Sequence, residues 1–571
     1  MSAPASSGAA PAGAQSLDRP ASSLKDAALR IGDVIILSMA SSGPTQSIAV
    51  TLAALLATVG YSTFLPIFIC LIPMLGIAIG YQRLNAWQRS AGATYSWVGR
   101  ALNPHAGFFA GWIMLMYYCV GTTSLTVPLG TYMLAFFSTS AANNTHYVAA
   151  VGSGFDILVL VIAALGIQLS ARFSWGWAIF EYGLLVGFSI AAIVGIYGNH
   201  SLHHTVHVSS SWFTISGAGG FSALVSGLLL AIFLYSGWDT AAYVSEEAKG
   251  KQAGRAGVTS VLILFVIYAG VIFCLQGVAP NSAMQNNAAD ILAYVGNLIG
   301  GGFWKNVMIV AVLGGTLASL LAAIVSAGRI SFAMGRDRTF PHWFAQVNPK
   351  YRTPWNATIL FGLLNIVFLW GTVLIGSIGK ALADIVSTLG LIAAIFYLLT
   401  ASAAVWYYRR TIMSSASNFF LGGFMPGLGA AFMLFVIVYT LEQRLLNGVQ
   451  LGFGFGLAAV GLVLSFVSQY VGKSRFYSDP TTSYGARVDE ELAQPEPSNA
   501  EPSSTEALST EALSTTEPSS DKQPSSDTEA LSAEAPSAEA PSAEAPSAEA
   551  PTTEPPSAEP PSAEAPSAEP S

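Results

Sequence analysis

Two interruptions of long apolar segments carry the residue types that could bind a charged ligand. They read Ser41-Ser42-Gly43-Pro44 and Tyr235-Ser236-Gly237-Trp238-Asp239. Proline cannot donate a helical hydrogen bond and glycine favours no single backbone conformation, so each interruption predicts a broken helix. A broken helix exposes N–H groups on one half and C=O groups on the other. These groups attract a carboxylate and an ammonium group, the two charges of an amino acid. A simple kink in a packed helix is the alternative for either break alone.

Two acidic residues inside apolar segments form a second group of candidates. Asp239 lies in the second interruption, and a carboxylate at mid-membrane depth usually faces a cavity or a partner. It would cap the following half-helix, or hold a proton or a substrate ammonium group, and both roles stay open. Glu181 lies in another apolar segment, where it would shuttle protons or be a hydrogen-bonded residue near the membrane interface. We predict Glu181 and Asp239 as the proton carriers because little other charge lies nearby.

A cluster of opposite charges follows the second interruption. Glu246 and Glu247 lie close in sequence to Lys249 and Lys251, and a later apolar segment ends with Arg329 and Arg336. We predict that Glu246, Glu247 and Arg329 form an ion-pair network that closes the cytoplasmic side of the protein.

Long apolar segments must position these residues. Runs of about 20 apolar residues are long enough to cross a bilayer as helices, and the bilayer requires helices because it offers no partners to backbone groups. The predicted spans lie near 33–58, 63–82, 107–136, 155–170, 175–197, 219–246, 257–279, 305–334, 355–376, 379–407, 423–443 and 449–471. The fold class is therefore an all-α integral membrane protein with twelve transmembrane helices.

The topology of these spans relates the two breaks to each other. The breaks lie in spans one and six, so the two helices run in opposite directions. Paired breaks in halves of opposite topology are typical of an inverted-repeat transporter. Only Lys305, Lys380 and Arg444 fall in loops on one side, whereas 20 of the 24 basic residues fall on the other. The positive-inside rule then predicts that both termini are cytoplasmic.

Composition divides the chain into three parts. Residues 1–24 are rich in Ala, Ser, Pro and Gly and predict a disordered cytoplasmic arm, and residues 25–472 form the twelve-span domain. Residues 473–571 hold 20 of the 32 acidic residues and repeat the motif Ser-Ala-Glu-Ala-Pro, which predicts a disordered acidic cytoplasmic tail. The repeat specifies no partner for this tail.

The remaining motifs predict no enzyme and no cofactor. The chain has no nucleophile–base pair and no phosphate-binding loop, and its low charge excludes a basic nucleic-acid-binding domain. The three cysteines lie in apolar runs, which predicts buried packing residues. A histidine group in an outer loop predicts a solvated loop rather than a metal site, with a Zn²⁺-responsive loop as the alternative: His200, His203, His204 and His207.

Three ordered segments resemble the amino acid–polyamine–organocation (APC) family of permeases. They are residues 92–112 (GATYSWVGRALNPHAGFFAGW), residues 236–249 (SGWDTAAYVSEEAK) and residues 326–357, which contain an arginine, an Arg-Asp pair and a Thr-Pro. The resemblance implies a five-plus-five inverted repeat followed by two extra helices. It also implies that the substrate site lies at the two breaks, formed by Ser41, Ser42, Gly43, Tyr235, Ser236, Gly237, Trp238 and Asp239.

The expected function is that of a secondary active transporter of the plasma membrane. Its partners would be membrane lipid and a small-molecule substrate, an amino acid or a related amine, moved by alternating access with proton coupling or by exchange. A polyamine or amine exchanger is the first alternative. A channel is less compatible with paired breaks in a single chain.

Overall fold

The computed structural model describes residues 24–142, 144–198, 205–373, 378–472 and 474–478. Within these residues the protein is all-α. An isolated parallel β-bridge joins Leu29 to Ala248. The helices of the first half are α1 Ile31–Ser42, α2 Pro44–Val59, α3 Phe64–Trp87, α4 Thr94–Ala101, α5 Pro104–Phe137, α6 Thr139–Ala142, α7 Thr145–Leu165, α8 Ile167–Tyr197, α9 Phe221–Tyr235 and α10 Thr240–Tyr243. The others are α11 Gln252–Leu275, α12 Asn281–Asn286, α13 Ile291–Arg336, α14 Trp355–Val373, α15 Ile378–Tyr408, α16 Ala416–Asn418, α17 Met425–Glu442, α18 Gly448–Gly472 and α19 Arg475–Ser478.

Eleven of the described segments are long and apolar enough to cross a membrane, counting α1 with α2 and α9 with α10 as one segment each. The apolar stretch Trp355–Gly371 of α14 is shorter and stands where the ninth span was predicted, at 355–376. The chain is therefore a multi-pass membrane protein. Its most extensive helix contact joins α5 to α13.

The first break lies at a single residue. Gly43 adopts the left-handed conformation with φ 52° and ψ 72°, and its N–H donates to the carbonyl oxygens of Ala40 and Met39 at 3.0 Å each. Pro44 then begins α2, where its missing N–H and fixed φ suit the first helical position. The break is narrower than the predicted segment, because Ser41 and Ser42 still belong to α1.

The second break is longer and touches the first. Gly237, between α9 and α10, has a φ of 107°, which side chains rarely adopt. A Cβ atom on Gly237 would lie 2.7 Å from the carbonyl carbon of Ser41 and 2.7 Å from the backbone nitrogen of Ser42. The two breaks therefore meet backbone to backbone, and a side chain at Gly237 would separate them.

The fourth span differs from the prediction at both ends. It was expected at 155–170, whereas α7 spans Thr145–Leu165. Gly166 has a φ of 131° and ends α7, and α8 starts at the next residue, so the fourth and fifth helices share a one-residue turn. The apolar periodicity runs through this turn, which is why the sequence pattern placed the boundary too late.

Two further helices depart from the predicted boundaries. α13 begins at Ile291, well before the predicted start at residue 305, and contains non-helical backbone at Gly300 and Gly301. The eight-residue helix α4 lies between the second and third spans, where only a connection was expected. The histidines at 200, 203 and 204 and the arm 1–23 lie outside the described residues, and so does residue 473 with residues 479–571 of the predicted tail.

The last described helix packs against the transporter domain. Phe476 of α19 is buried, and its ring stacks on Tyr95 of α4 with centroids 4.7 Å apart and planes 16° apart. The Ser474 hydroxyl donates to the carbonyl oxygen of Asp337, just after α13. The first residues of the predicted tail are therefore anchored on the domain.

Candidate functional site

A small cavity of about 30 Å³ lies where the two breaks meet. The breaks contribute Ser41, Ser42, Ser236 and Gly237 to its wall. Polar side chains from α2 and α5 complete it: Gln46, Ser47, Tyr117, Tyr118, Thr122 and Ser124. No charged side chain lies among the lining residues, so hydroxyl, amide and backbone groups make up its polar surface. This volume holds one or two water molecules, which means that a larger ligand needs the walls to move.

The wall from α5 was not among the predicted site residues. Tyr118, Thr122 and Leu125 recur at intervals of four and three residues and share one face of the helix. Thr122 donates to the carbonyl oxygens of Tyr118 and Cys119, so its hydroxyl is held against its own helix. That polar periodicity in an otherwise apolar helix is the signal that could have identified this face.

Four predicted substrate residues lie near the cavity without lining it. Gly43 packs against α13, where a Cβ atom would come 2.1 Å from the Ser319 hydroxyl oxygen. The Tyr235 hydroxyl donates to the carbonyl oxygen of Ile67 at 3.2 Å. The Trp238 ring stacks on Tyr397 of α15, with centroids 5.8 Å apart. These three residues hold the breaks in place.

Asp239 is the fourth of these residues, and it braces the second break. It is 1% exposed, and its Oδ1 accepts hydrogen bonds from the Gly237 N–H at 3.2 Å and the Tyr397 hydroxyl at 3.1 Å. Its other oxygen, Oδ2, has no hydrogen-bond partner among the described residues. The carboxylate thus fixes the conformation of Gly237 and keeps one acceptor available.

Glu181 caps the half-helix that follows the first break. It is 2% exposed on α8, and its Oε1 accepts hydrogen bonds from the Thr45 N–H at 2.7 Å and the Thr45 hydroxyl at 2.8 Å. Thr45 is the second residue of α2, so the carboxylate sits at the positive end of that helix. One N–H group at the start of the second half-helix is therefore satisfied by the protein's own acid. The two residues lie 136 positions apart, and no local pattern predicts their contact.

Two ion pairs join α13 to the segment after α10. Arg329 donates to both oxygens of Glu247, at 2.5 and 2.9 Å, and both side chains are buried. Arg336 donates to both oxygens of Glu246, at 2.9 and 2.7 Å. The structure thus brings together the three residues predicted as a cytoplasmic gate and Arg336 of the same predicted charge cluster.

The surroundings of Glu246 favour its ionised form. Burial alone would raise its pKa, but the charge and hydrogen bonds of Arg336, with the Ala91 N–H at 2.7 Å, outweigh burial and lower the pKa below its usual value. Arg89 adds hydrogen bonds to the carbonyl oxygens of Glu246 and Ala248. The lowered pKa keeps Glu246 ionised, so Arg336 retains its counter-charge.

A third buried carboxyl group was missed by the sequence analysis. Asp156 of α7 accepts hydrogen bonds from the Thr126 hydroxyl of α5 at 3.0 Å and the Asn365 amide of α14 at 2.8 Å. It therefore ties three helices together. Its position inside the apolar run of α7 was the signal available in the sequence. No group of three or more potential metal ligands occurs within the described parts of the chain.

Comparison with known proteins adds the family context. The sequence model of the amino acid permease family matches residues 28–463. The chain is 25% identical to the branched-chain amino acid permease BcaP of Lactococcus lactis subsp. cremoris (strain MG1363) over 51% of its length and 64% of that protein. It is 23% identical to the low-affinity putrescine importer PlaP of Escherichia coli (strain K12), over 69% of its length and 83% of the importer. It is 22% identical to the arginine/ornithine antiporter ArcD2 of the same Lactococcus strain, over 52% of its length and 63% of that protein. The matches to the two Lactococcus relatives thus cover less than two thirds of those proteins.

Proposed function

The chain belongs to the amino acid permease family, which confirms the resemblance drawn from its three sequence segments, and we propose that it is a secondary active transporter of amino acids or related amines. This proposal rests on the contact between the two helix breaks at a small cavity that hydroxyl groups from both breaks line. The relatives named above are transporters of amino acids and amines, which supports the same substrate class.

The proposed architecture has twelve spans, with α14 as the ninth. Spans one to five and six to ten form the inverted repeat, and α17 and α18 are the two additional helices. The breaks in spans one and six supply the substrate site, and both termini face the cytoplasm of a cell whose plasma membrane holds the protein. The residues that line the cavity from the two breaks are Ser41, Ser42, Ser236 and Gly237.

The small size of the cavity supports alternating access. A space of about 30 Å³ is too small for an amino acid, so a substrate enters only when the helices around the breaks move apart. The buried Arg329–Glu247 pair closes one end of the bundle and must open for release on that side. The paired breaks in a single chain favour a transporter over a channel.

Coupling to protons is the finer part of the proposal. Glu181 and Asp239 are buried carboxyl groups that each hold one helix break in its present conformation. Adding a proton to either would weaken its hydrogen bonds to backbone N–H groups, because an ionised acceptor binds them more strongly. Protonation of either residue would therefore change the conformation of the proposed substrate site directly.

Counterflow in proteoliposomes tests the proposed function. Purified protein is reconstituted with an internal pool of one candidate substrate, and uptake of labelled substrate is followed for a panel of neutral amino acids, cationic amino acids and polyamines. We expect saturable counterflow for at least one of them, and acceleration by an inward proton gradient but not by a sodium gradient. Sodium-dependent uptake that ignores pH would contradict the coupling, and the absence of counterflow for the whole panel would contradict the substrate class.

A further inference from the structure

A second concavity lies on the outer surface of the helix bundle, away from the substrate site. It is a groove of about 590 Å³ between α5, α18 and the connection that follows α13. Phe108 and Trp112 of α5 form one wall, and Leu464, Val467 and Val471 of α18 form the other. Arg338 and His342, on the connection, lie at one end. We call this feature the α5–α18 groove.

The walls of the groove extend into the membrane from one face. Trp112 is the ninth residue of α5, and Leu464 is the ninth residue from the end of α18, so each lies about 12 Å along its helix from that face. The Trp112 indole N–H donates to the carbonyl oxygen of Leu457 at 2.9 Å, which fixes the ring against α18. Val467 and Val471 are 47% and 79% exposed, so this part of α18 presents apolar side chains to the surroundings.

The end of the groove at the membrane face is basic. Arg338 and His342 are exposed, and neither side chain has a hydrogen bond or ion pair with another described residue. No acidic residue lines the groove, and the carboxylate of neighbouring Asp337 accepts a hydrogen bond from the Tyr95 hydroxyl at 3.1 Å. Apolar walls at depth, with the Arg338 guanidinium and the His342 imidazole at the rim, complement a molecule with an acyl chain and an anionic headgroup.

We propose that the α5–α18 groove binds an anionic phospholipid, with its acyl chain against Trp112, Leu464 and Val467 and its phosphate at Arg338 and His342. In the proposed orientation this face is cytoplasmic, where basic sites between membrane helices bind acidic lipid headgroups. The proposal rests on that orientation and on membrane insertion, but not on the identity of the transported substrate.

The chain's own acidic tail is the competing occupant, because it starts at the end of α18 beside the groove. The walls favour the lipid: beyond Tyr484 the tail contains no aromatic residue and few aliphatic ones, so it offers little to fill an apolar groove. A free phosphate would bind Arg338 and His342 at the rim but leave the apolar walls uncovered. The experiment therefore tests the tail and a free phosphate as separate alternatives.

Lipid binding is measured on the purified full chain in nanodiscs of phosphatidylcholine, with or without added phosphatidylglycerol. Native mass spectrometry counts retained phosphatidylglycerol, and a thermal melt reports stabilisation. We expect retention of a small fixed number of phosphatidylglycerol molecules and a higher melting midpoint than in phosphatidylcholine alone. The double variant Arg338→Gln/His342→Gln should bind phosphatidylglycerol about fivefold more weakly or worse. Val467→Trp, which fills the groove and keeps the Arg338 and His342 side chains, should also lose the retained lipid.

The matched control is Arg410→Gln, which removes an exposed arginine from another connection on the same face and should behave like the parent. Equal binding by the parent and both groove variants would overturn the proposal, because the retained lipid would then be unspecific. Equal stabilisation by glycerol phosphate would also overturn it, since the walls would then play no part. Phosphatidylglycerol binding that appears only after truncation behind Ser478 would assign the groove to the tail instead.

Discussion

Glu181 is the titratable residue that most directly contacts the helix after the first break. Its carboxylate holds the first turn of α2 through two hydrogen bonds from Thr45. An ionised acid at a helix N-terminus is stabilised by the helix dipole, and a neutral acid loses most of that stabilisation. A proton on Glu181 would therefore loosen α2 from α8, next to the wall of the substrate cavity.

Replacing Glu181 with glutamine separates hydrogen bonding from titration. The amide oxygen of Glu181→Gln can accept from the same two Thr45 donors, but it cannot exchange a proton. We expect counterflow to persist while acceleration of uptake by an inward proton gradient disappears. Proteoliposome uptake with and without the gradient measures both properties, and Glu442→Gln, an exposed acid at the end of α17, serves as the control. Proton acceleration that survives in Glu181→Gln would remove this residue from the coupling.

Gly237 sets the distance between the two breaks. Its φ is 107°, and a Cβ atom there would lie within 2.8 Å of the Ser41 backbone, which leaves no room for a side chain. Gly237→Ala should lower stability by about 1 to 3 kcal/mol through strained backbone, and should abolish substrate binding by parting the breaks. The control is Gly270→Ala in α11, where a Cβ atom meets nothing within 4 Å. A thermal melt measures the loss of stability, and an equilibrium assay measures substrate binding. Substrate binding by Gly237→Ala equal to that of the parent would contradict the prediction.

At the scale of helices, the ion pairs after α10 determine how firmly one end of the bundle is closed. Glu247→Gln leaves the buried Arg329 without a counter-charge, which costs about 3 to 5 kcal/mol in comparable buried pairs. We expect this change to favour opening at that end, seen as faster labelling of Ser236→Cys by a membrane-impermeant thiol reagent from the cytoplasmic side. Labelling is done in a background without the native cysteines.

The neighbouring pair provides the matched comparison. Glu246 is 17% exposed on its side chain, so solvent screens its partner Arg336 when the charge is removed. Glu246→Gln should therefore accelerate labelling less than Glu247→Gln does. The exchange Glu247→Arg/Arg329→Glu should return labelling toward the parent rate. If Glu247→Gln labels at the parent rate, the pair does not hold the closed state.

The sequence could predict the helices and the location of both breaks, but not how the helices face one another. Glycine, proline and the length of the apolar runs are local signals, so Gly43 and Gly237 were identified as backbone interruptions. The contact between Glu181 and Thr45 depends on the packing of α8 against α1 and α2, which no local pattern encodes. The α7 boundary at Gly166 was misplaced because apolar residues continue across the turn.

On the scale of the whole molecule, the transporter domain continues into the first residues of the predicted tail. Burial of Phe476 against Tyr95 contributes about 1.5 to 3 kcal/mol to the stability of the folded protein, the free energy typical of moving such a side chain out of water. Two truncations separate this anchor from the acidic repeat that follows it. A chain ending at Asp479 should keep uptake per folded molecule within about twofold of the parent, since it retains the Phe476 contact.

A chain ending at Gly472 should behave differently, because it exposes Tyr95 and Gly99 of α4. We expect a lower melting midpoint for this shorter chain, and Phe476→Ala in the full-length protein should reproduce most of the loss. Equal melting midpoints for the two truncations would mean that α19 does not stabilise the domain. Loss of uptake in the correctly inserted Asp479 truncation would instead assign a transport role to the repeat.

The contact between the two breaks also constrains the order of events during synthesis. Gly43 leaves the ribosome roughly 190 residues before Gly237, an interval of about 10 to 40 s at ordinary elongation rates. Throughout that interval the polar backbone of the first break has reached the membrane without the partner that will cover it. The nascent chain must therefore hold α1 and α2 in the translocation machinery, or in contact with water, until the sixth span arrives. Crosslinking of stalled nascent chains from position 41 should detect the insertion machinery before residue 237 is translated and α9 afterwards.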